Sequence, residues 1–148
     1  MNILIIEDNK SKYKNLEDTL NRVVDNPSIT WEQTRNNGLV AIKEHNFIND
    51  NDLEPFDMLI CDNYLPIYDD DWETKPFGQD IVEEVRERFG LTDLAIVMCS
   101  SEDVGEFDYN YKIRYDSSVI MDEMFKMIID DINDKKKTSV LTKNNKVK

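Results

Sequence analysis

The stretch that decides the fold is FDMLICDNYLP, residues 56–66. The apolar run Met58–Cys61 is followed at once by Asp62, and a Leu65-Pro66 turn ends the segment. A continuous apolar run of this length predicts a strand buried on both faces, as in a parallel sheet. Such a strand places the Asp62 carboxylate at its own carboxyl end, where a charged group can serve chemistry rather than packing.

Four further runs predict strands on either side of this one. Amphipathic stretches with helical spacing separate them, and the dipeptide Asn37-Gly38 indicates a turn ahead of the second helix. The strand segments are NILII (2–6), ITWEQT (29–34), LAIVMC (94–99) and YNYKI (109–113). Strands that alternate with helices predict a doubly wound α/β fold with a five-stranded parallel sheet in the order 2-1-3-4-5.

In this order the first and third strands are neighbours, and their carboxyl ends bring three acids together. The first strand ends in Glu7 and Asp8, the third ends in Asp62, and the fourth ends in Ser100. At about 5 Å, each like-charge pair of carboxylates costs roughly 3 kcal/mol at an effective dielectric constant near 20. A bound divalent cation would relieve this repulsion, and Mg²⁺ prefers such oxygen ligands.

Charge and hydropathy exclude several classes of protein. The net charge is −13, and the segment 134–148 has six Lys and one Asp, which leaves −18 on residues 1–133. A body this acidic predicts no binding to nucleic acid, and no apolar run approaches the roughly 18–20 residues of a membrane span. The N-terminus lacks the features of a signal peptide, and we expect Cys61 and Cys99 to be reduced core residues, so the cytoplasm is the expected location. We expect residues 1–133 to form one domain and the Lys-rich tail 134–148 to be disordered.

Five segments, taken in order, resemble the receiver domain of two-component response regulators. They are ILIIEDN, FDMLICDNYLP, GQDIVEEVRER, AIVMCSS and GEFDYNYK, and the resemblance covers about residues 2–132. The resemblance implies the flavodoxin-like receiver fold and a stand-alone regulator in which Asp62 accepts a phosphoryl group from a histidine kinase or phosphotransfer protein. The modified protein would then change its interaction with a downstream protein target. No enzyme activity is expected beyond phosphorylation and dephosphorylation of the protein's own Asp62.

The resemblance also implies a metal site and a switch. Glu7, Asp8 and Asp62 would hold Mg²⁺ together with the backbone carbonyl of Tyr64. Ser100 would bind a phosphoryl oxygen and act as a switch residue. Lys112 would pair with the phosphoryl group, and Tyr109, three residues earlier, matches the aromatic switch position.

Two departures from the family pattern affect these expectations. A glycine normally follows the Leu-Pro turn by about four residues, whereas Gly78 follows Pro66 by twelve, so residues 67–77 form an insertion. This insertion contains Trp72, and it could cover the site or be a solvated loop. Only eleven residues separate Ser100 from Lys112, so the fourth helix of the family is expected to be reduced or missing. An antiparallel hairpin into the fifth strand is the competing geometry.

Other functions fit less well. A receiver-like module that binds a partner without phosphorylation is the main alternative. A haloacid-dehalogenase-type phosphatase needs an Asp two residues after Asp62, where Tyr64 stands. A Toprim-type nuclease or primase needs an Asp-x-Asp at a strand end, and this motif is absent from the predicted strand ends. A flavin-binding flavodoxin-like protein needs a loop rich in Ser, Thr and Gly after the first strand, which EDNKSK does not match. His45 is the only histidine, and we expect it on a helix surface.

Overall fold

The computed structural model describes residues 1–48, 52–71 and 73–146, with side chains up to Lys137. Among the described residues, five strands alternate with four helices except that the fifth strand follows the fourth directly. A single turn of π-helix extends each of the second and third helices, over Lys43–Phe47 and Glu84–Arg88 respectively. The elements are β1 (Asn2–Ile6), α1 (Lys10–Val23), β2 (Ser28–Glu32), α2 (Arg35–Ile42), β3 (Met58–Cys61), α3 (Phe77–Glu83), β4 (Ala95–Ser100), β5 (Tyr111–Arg114) and α4 (Asp122–Lys146). No helix among the described residues is both long and apolar enough to cross a membrane.

The sheet is parallel throughout, and its strand order is β2-β1-β3-β4-β5. The predicted fold and strand order are therefore confirmed. Side chains that alternate along the central strands fill two separate cores. One core lies against α2 and α3, and the other lies against α1 and α4. The strands β1, β3 and β4 are buried along almost their whole length, which explains their unbroken apolar sequences.

The connection from β4 to β5 contains no helix, as the short sequence predicts, and β5 is nevertheless parallel to β4. Residues 101–110 can make this crossing because an extended chain of ten residues reaches at most about 33–36 Å. Returning along a strand the length of β4 requires only about 20 Å. The observed parallel pairing of β5 with β4 excludes the antiparallel hairpin.

A buried arginine from the end of α3 holds this connection in place. Arg86 is only 8% exposed. Its guanidinium donates to the carbonyl oxygens of Leu91 (2.6 Å), Leu94 (2.8 Å) and Asp108 (3.2 Å), and to Oδ1 of Asn110 (2.7 Å). One side chain thus donates both to the connection, at Asp108 and Asn110, and to the segment before β4, at Leu91 and Leu94.

Asn110 then fixes the start of β5 against β4. The side-chain Oδ1 of Asn110 accepts a hydrogen bond from the Ile96 backbone amide at 2.8 Å, and the backbone amide of Asn110 donates to the Ile96 carbonyl at 3.0 Å. This pairing sets the register of the last strand, in which Lys112 lies beside Met98 and Arg114 lies beside Ser100.

The last helix includes most of the Lys-rich segment. The backbone of α4 is helical to Lys146, and the Lys136 ammonium lies 2.7 Å from Oδ1 of Asp57. The helix therefore continues across the boundary expected at residue 133. Disorder of the tail stays a prediction of the sequence.

Candidate functional site

The three acids that the sequence places at strand ends meet at one edge of the sheet. Ile6 and Cys61 are paired in register, so Glu7 and Asp62 follow them side by side, and Asp8 is next to Glu7 in the chain. Carboxylate oxygens of Glu7, Asp8 and Asp62 all lie within 4.8 Å of one another. Among the described residues this is the one group of acidic, cysteine or histidine side chains with a geometry that could hold a metal ion.

Glu7 is the most deeply placed of the three acids. It is 2% exposed, its Oε1 accepts from the Asn9 amide at 3.1 Å, and its backbone carbonyl accepts from the Trp31 indole at 2.7 Å. Burial raises the pKa of Glu7, Lys12 lowers it and the charge of Asp62 raises it, and the net effect is a pKa raised to about 7. Burial also raises the pKa of Asp8. The cluster therefore holds negative charge at a cost that a cation would reduce.

A lysine that sequence reasoning missed lies in the centre of this cluster. The Nζ atom of Lys12, in the first turn of α1, is 2.8 Å from Oε2 of Glu7 and 3.4 Å from Oδ1 of Asp62. It also donates to the Cys99 carbonyl at 2.6 Å, and the residue is only 7% exposed. Burial would lower the pKa of Lys12, but the charges of Glu7 and Asp62 raise it above its usual value, so the group stays an ammonium.

A sequence signal for Lys12 exists. It precedes Leu16 by four residues, and the buried positions of α1 are Lys12, Leu16, Thr19 and Leu20. A lysine on the apolar stripe of a helix needs a buried partner. The Asn9 side chain, which caps α1 by accepting from the Lys12 amide at 2.9 Å, fixes where that stripe begins.

The structure does not bring Lys112 to the acids. Its side chain is 52% exposed, and its nearest anionic partner is Glu106 at 3.7 Å. Arg114, not Lys112, is the basic residue at the carboxyl end of β5, and it is exposed. Tyr115, which directly follows β5, lies beside the cluster. Its ring centroid is 5.2 Å from the Lys12 ammonium, and its hydroxyl accepts a hydrogen bond from Asn15 Nδ2 at 2.6 Å.

The expected switch residues Ser100 and Tyr109 make their side-chain hydrogen bonds within the β4–β5 connection. Ser100 is buried, and its hydroxyl accepts from the Glu102 amide at 3.4 Å. Its neighbour Ser101 is the serine that lines the cavity above the acids. The Tyr109 hydroxyl donates to the Gly105 carbonyl at 2.9 Å, and its ring packs edge-on against Phe107.

A cavity of about 440 Å³ opens above the cluster. The acids and Lys12 form its floor, and Tyr64, Thr74, Ser101 and Tyr115 are among the residues of its walls. This volume is sufficient for a small anionic group together with water.

The insertion is closed at its base and lies against α2. Leu65 and Lys75 exchange two backbone hydrogen bonds, at 3.0 and 3.2 Å, and the Arg35 amide donates to the Pro66 carbonyl at 2.9 Å. Thr74 reaches the cavity from this segment. Trp72, for which the sequence suggested a covering role, lies outside the described residues.

Gly78 lies directly on the backbone that carries Asp62. A Cβ atom at this position would be 2.3 Å from the Asp62 carbonyl oxygen and 2.6 Å from the Asn63 Cα, distances that backbone atoms cannot accommodate. The Gly78 amide donates to the Asn63 carbonyl at 2.9 Å. With the insertion between Pro66 and Gly78 in place, α3 therefore packs directly against the end of β3.

Neither a family model nor a curated protein matches the sequence. Solved structures do match. A receiver domain protein (CheY-like) from Methanospirillum hungatei JF-1 is 14% identical with a TM-score of 0.64, over 93% of this chain and 97% of that one. The Mn(2+)-bound response regulator Rcp1 is 14% identical with a TM-score of 0.63, over 86% and 90%. This chain has the receiver fold.

A third match adds to the same conclusion. The phosphorylated cyanobacterial phytochrome response regulator RcpA is 17% identical with a TM-score of 0.62, over 86% of this chain and 89% of that one. At such identities the likeness concerns the fold, and the roles of individual side chains have to be argued from this protein's own geometry. Three local features of this chain bear on its site: the insertion, the short β4–β5 connection and the lysine within the acid cluster.

Proposed function

We propose that the protein is a response regulator receiver whose Asp62 accepts a phosphoryl group from a histidine kinase or phosphotransfer protein. The observation that carries this proposal is the position of the Asp62 carboxylate, which projects from the end of β3 into a cavity beside two further acids and an ammonium group. A carboxylate nucleophile needs its product's charge neutralised, and cations on the phosphoryl oxygens supply this. The phosphorylated protein would then bind a downstream protein target differently.

Mg²⁺ is the metal proposed for the site. Glu7, Asp8 and Asp62 offer oxygen ligands of the kind that Mg²⁺ uses, and Tyr64, whose backbone carbonyl would be a further ligand, lines the same cavity. When bound, the ion would neutralise negative charge on the carboxylates and on a phosphoryl group. The match to a Mn(2+)-bound relative supports a divalent ion. Since Cys61 and Cys99 are free and buried, a reducing compartment such as the cytoplasm is the proposed location.

The remaining expected roles also stay proposals. Ser100 and Tyr109 would respond to phosphorylation through movement of the β4–β5 connection, because both belong to this segment or its margin. The Lys112 ammonium is exposed and lies 3.7 Å from Glu106, and Lys112 is not among the residues that line the cavity of Asp62. This placement is the specific observation that favours the second candidate, a receiver-like module that binds its partner without phosphorylation.

Phosphorylation should give a protein heavier by one phosphoryl group. We expect this product in the intact mass spectrum after incubation with acetyl phosphate and Mg²⁺, and we expect none from Asp62→Asn. Asp70→Asn is the matched control, because Asp70 is an exposed acid of the insertion. A wild-type mass that does not change, with the protein folded, would leave the binding module as the better description.

Metal binding should also be visible as stability. Mg²⁺ is expected to raise the melting temperature of the wild-type protein by relieving repulsion among the three acids. Asp62→Asn removes one of these charges and should stabilise the metal-free protein by roughly 1–3 kcal/mol. This gain in stability is limited because Lys12 loses its ion pair with Asp62. Thermal unfolding in chelator and in Mg²⁺ measures both effects, and a melting temperature that responds to neither would argue against the metal site.

A further inference from the structure

The positive charge that contacts Asp62 comes from Lys12 of helix α1. Of the described residues that line the cavity, Lys12 is the only one with a positive charge. Its ammonium bridges Glu7 and Asp62 and is held in place by the Cys99 carbonyl. The three contacts come from β1, β3 and β4, so the position of the Nζ atom is fixed from three sides.

We propose that Lys12 is the catalytic cation of the site: it neutralises the phosphoryl group on Asp62, in place of a lysine from β5. This inference rests on the proposed function, because it assigns a residue to that same reaction. Lys12 qualifies as a catalytic residue because its Nζ atom is 3.4 Å from Oδ1 of the nucleophile itself.

The described contacts also identify the attacking oxygen. Oδ1 of Asp62 accepts from the Asn63 amide at 2.8 Å and faces the Lys12 ammonium, so both of these contacts fall on the same oxygen. Oδ2 is therefore the oxygen that can attack. With acetyl phosphate as donor, Oδ2 forms a bond to phosphorus and the bond from phosphorus to the acyl oxygen breaks. Acetate leaves with the electron pair, and no proton is transferred.

Lys12 contributes to this step because charge on the phosphoryl oxygens develops next to it. An ammonium that is already in place, and is shielded from water, stabilises this charge without reorganisation. Its bond to Glu7 keeps it in place while its contact shifts from Oδ1 of Asp62 to a phosphoryl oxygen.

The two cations of β5 are the natural rivals. Lys112 is exposed and paired with Glu106, and Arg114 lines a neighbouring cavity with Ser101 and Tyr115 rather than the one that contains Asp62. Tyr115 stands between β5 and the acid cluster, with its ring against the Lys12 ammonium. Both rivals can be removed with little effect on the core, which makes them matched controls.

The test is the rate of phosphorylation by acetyl phosphate in saturating Mg²⁺, followed by intact mass. Lys12→Met should slow the reaction about 100-fold or more, as is typical when one charge-stabilising donor is removed. Lys112→Met and Arg114→Met should stay within a few-fold of the wild type, and Lys12→Arg should recover part of the rate. Metal affinity is measured in parallel by the fluorescence of Trp31, whose indole donates to Glu7. We expect Lys12→Met to bind Mg²⁺ at least as tightly as the wild type, because the cluster loses a positive charge.

The results of this test separate the role of Lys12 from the proposed phosphorylation of Asp62. A Lys12→Met rate equal to the wild type, or a rate abolished in Lys112→Met or Arg114→Met, would overturn the proposal while leaving phosphorylation of Asp62 established. If Lys12→Met does not fold, Lys12→Gln keeps a donor for the Cys99 carbonyl without the charge and should show the same slow reaction. A wild-type protein that is never phosphorylated would instead refute the proposed function, and the role of Lys12 with it.

Discussion

Replacing Arg86 by methionine is expected to lower the free energy of unfolding by about 3–5 kcal/mol, because several acceptors would each lose a donor at a cost of about 1–3 kcal/mol. The guanidinium is the shared donor for three backbone carbonyls and one side-chain amide. Methionine fills a similar volume but donates nothing; the hydrogen bond to the Leu94 carbonyl is buried, and the other three are partly buried. The effect should be largest where the connection between β4 and β5 meets the sheet.

Arg88→Met is the matched control. Arg88 lies two residues further along the same π-helical turn, its side chain is 75% exposed, and it pairs with Glu84 at 3.3 Å. Exposed pairs of this kind contribute less than about 1 kcal/mol. Denaturant unfolding of both variants measures the difference. Similar small losses from both would show that Arg86 does not hold the β4–β5 connection.

Replacing Gly78 by alanine is the second change with a large expected effect. The added Cβ would meet the Asp62 carbonyl oxygen and the Asn63 Cα, both of which are backbone atoms. Either α3 or the end of β3 must then move, and overpacking of this kind costs about 1–3 kcal/mol or more. Because the atoms that move carry Asp62, phosphorylation and metal binding should weaken together with stability.

Gln79→Ala provides the comparison for Gly78→Ala. Gln79 is the next residue of α3, is exposed, and has a side-chain hydrogen bond to Glu83 on the surface. We expect its removal to change the free energy of unfolding by no more than about 0.5 kcal/mol. If Gly78→Ala were equally mild and bound Mg²⁺ normally, the close approach to Asp62 would not be needed for the site.

The strands and the acid cluster could be predicted because each leaves a local signal. The segments 2–6 and 94–99 and the stretch around Met58–Cys61 are unbroken apolar runs, and strands buried on both faces require this. An acid that follows such a run stands at the carboxyl end of the strand, so parallel pairing alone brings Glu7 and Asp62 together.

Other features depend on long-range contacts that a local pattern does not report. Asn37 and Gly38 suggested a turn, but both lie within α2, where Gly38 packs so closely on Ile6 that a Cβ would be 2.4 Å from its Cδ1. Lys112 was expected at the active edge, but the end of β5 falls two residues later, at Arg114, because Asn110 sets the register.

Lys12 shows the same limit most clearly. Its spacing of four residues from Leu16 indicates a buried position, but only the packing of α1 against the sheet shows that its partners are Glu7, Asp62 and Cys99. The sequence therefore predicted that a lysine would lie near Asp62, but it did not predict that this lysine would be Lys12.

The central claim, that Asp62 is the acceptor, is tested most directly by locating the phosphoryl group. Borohydride reduces an aspartyl phosphate to homoserine, so wild-type protein treated with acetyl phosphate and Mg²⁺ can be reduced, digested and mapped by mass spectrometry. We expect homoserine at position 62, in the peptide that contains residues 56–66, and aspartate at every other aspartate position. Homoserine at Asp8 or in the insertion, or a phosphoryl group that survives reduction on Ser100 or Ser101, would contradict the account.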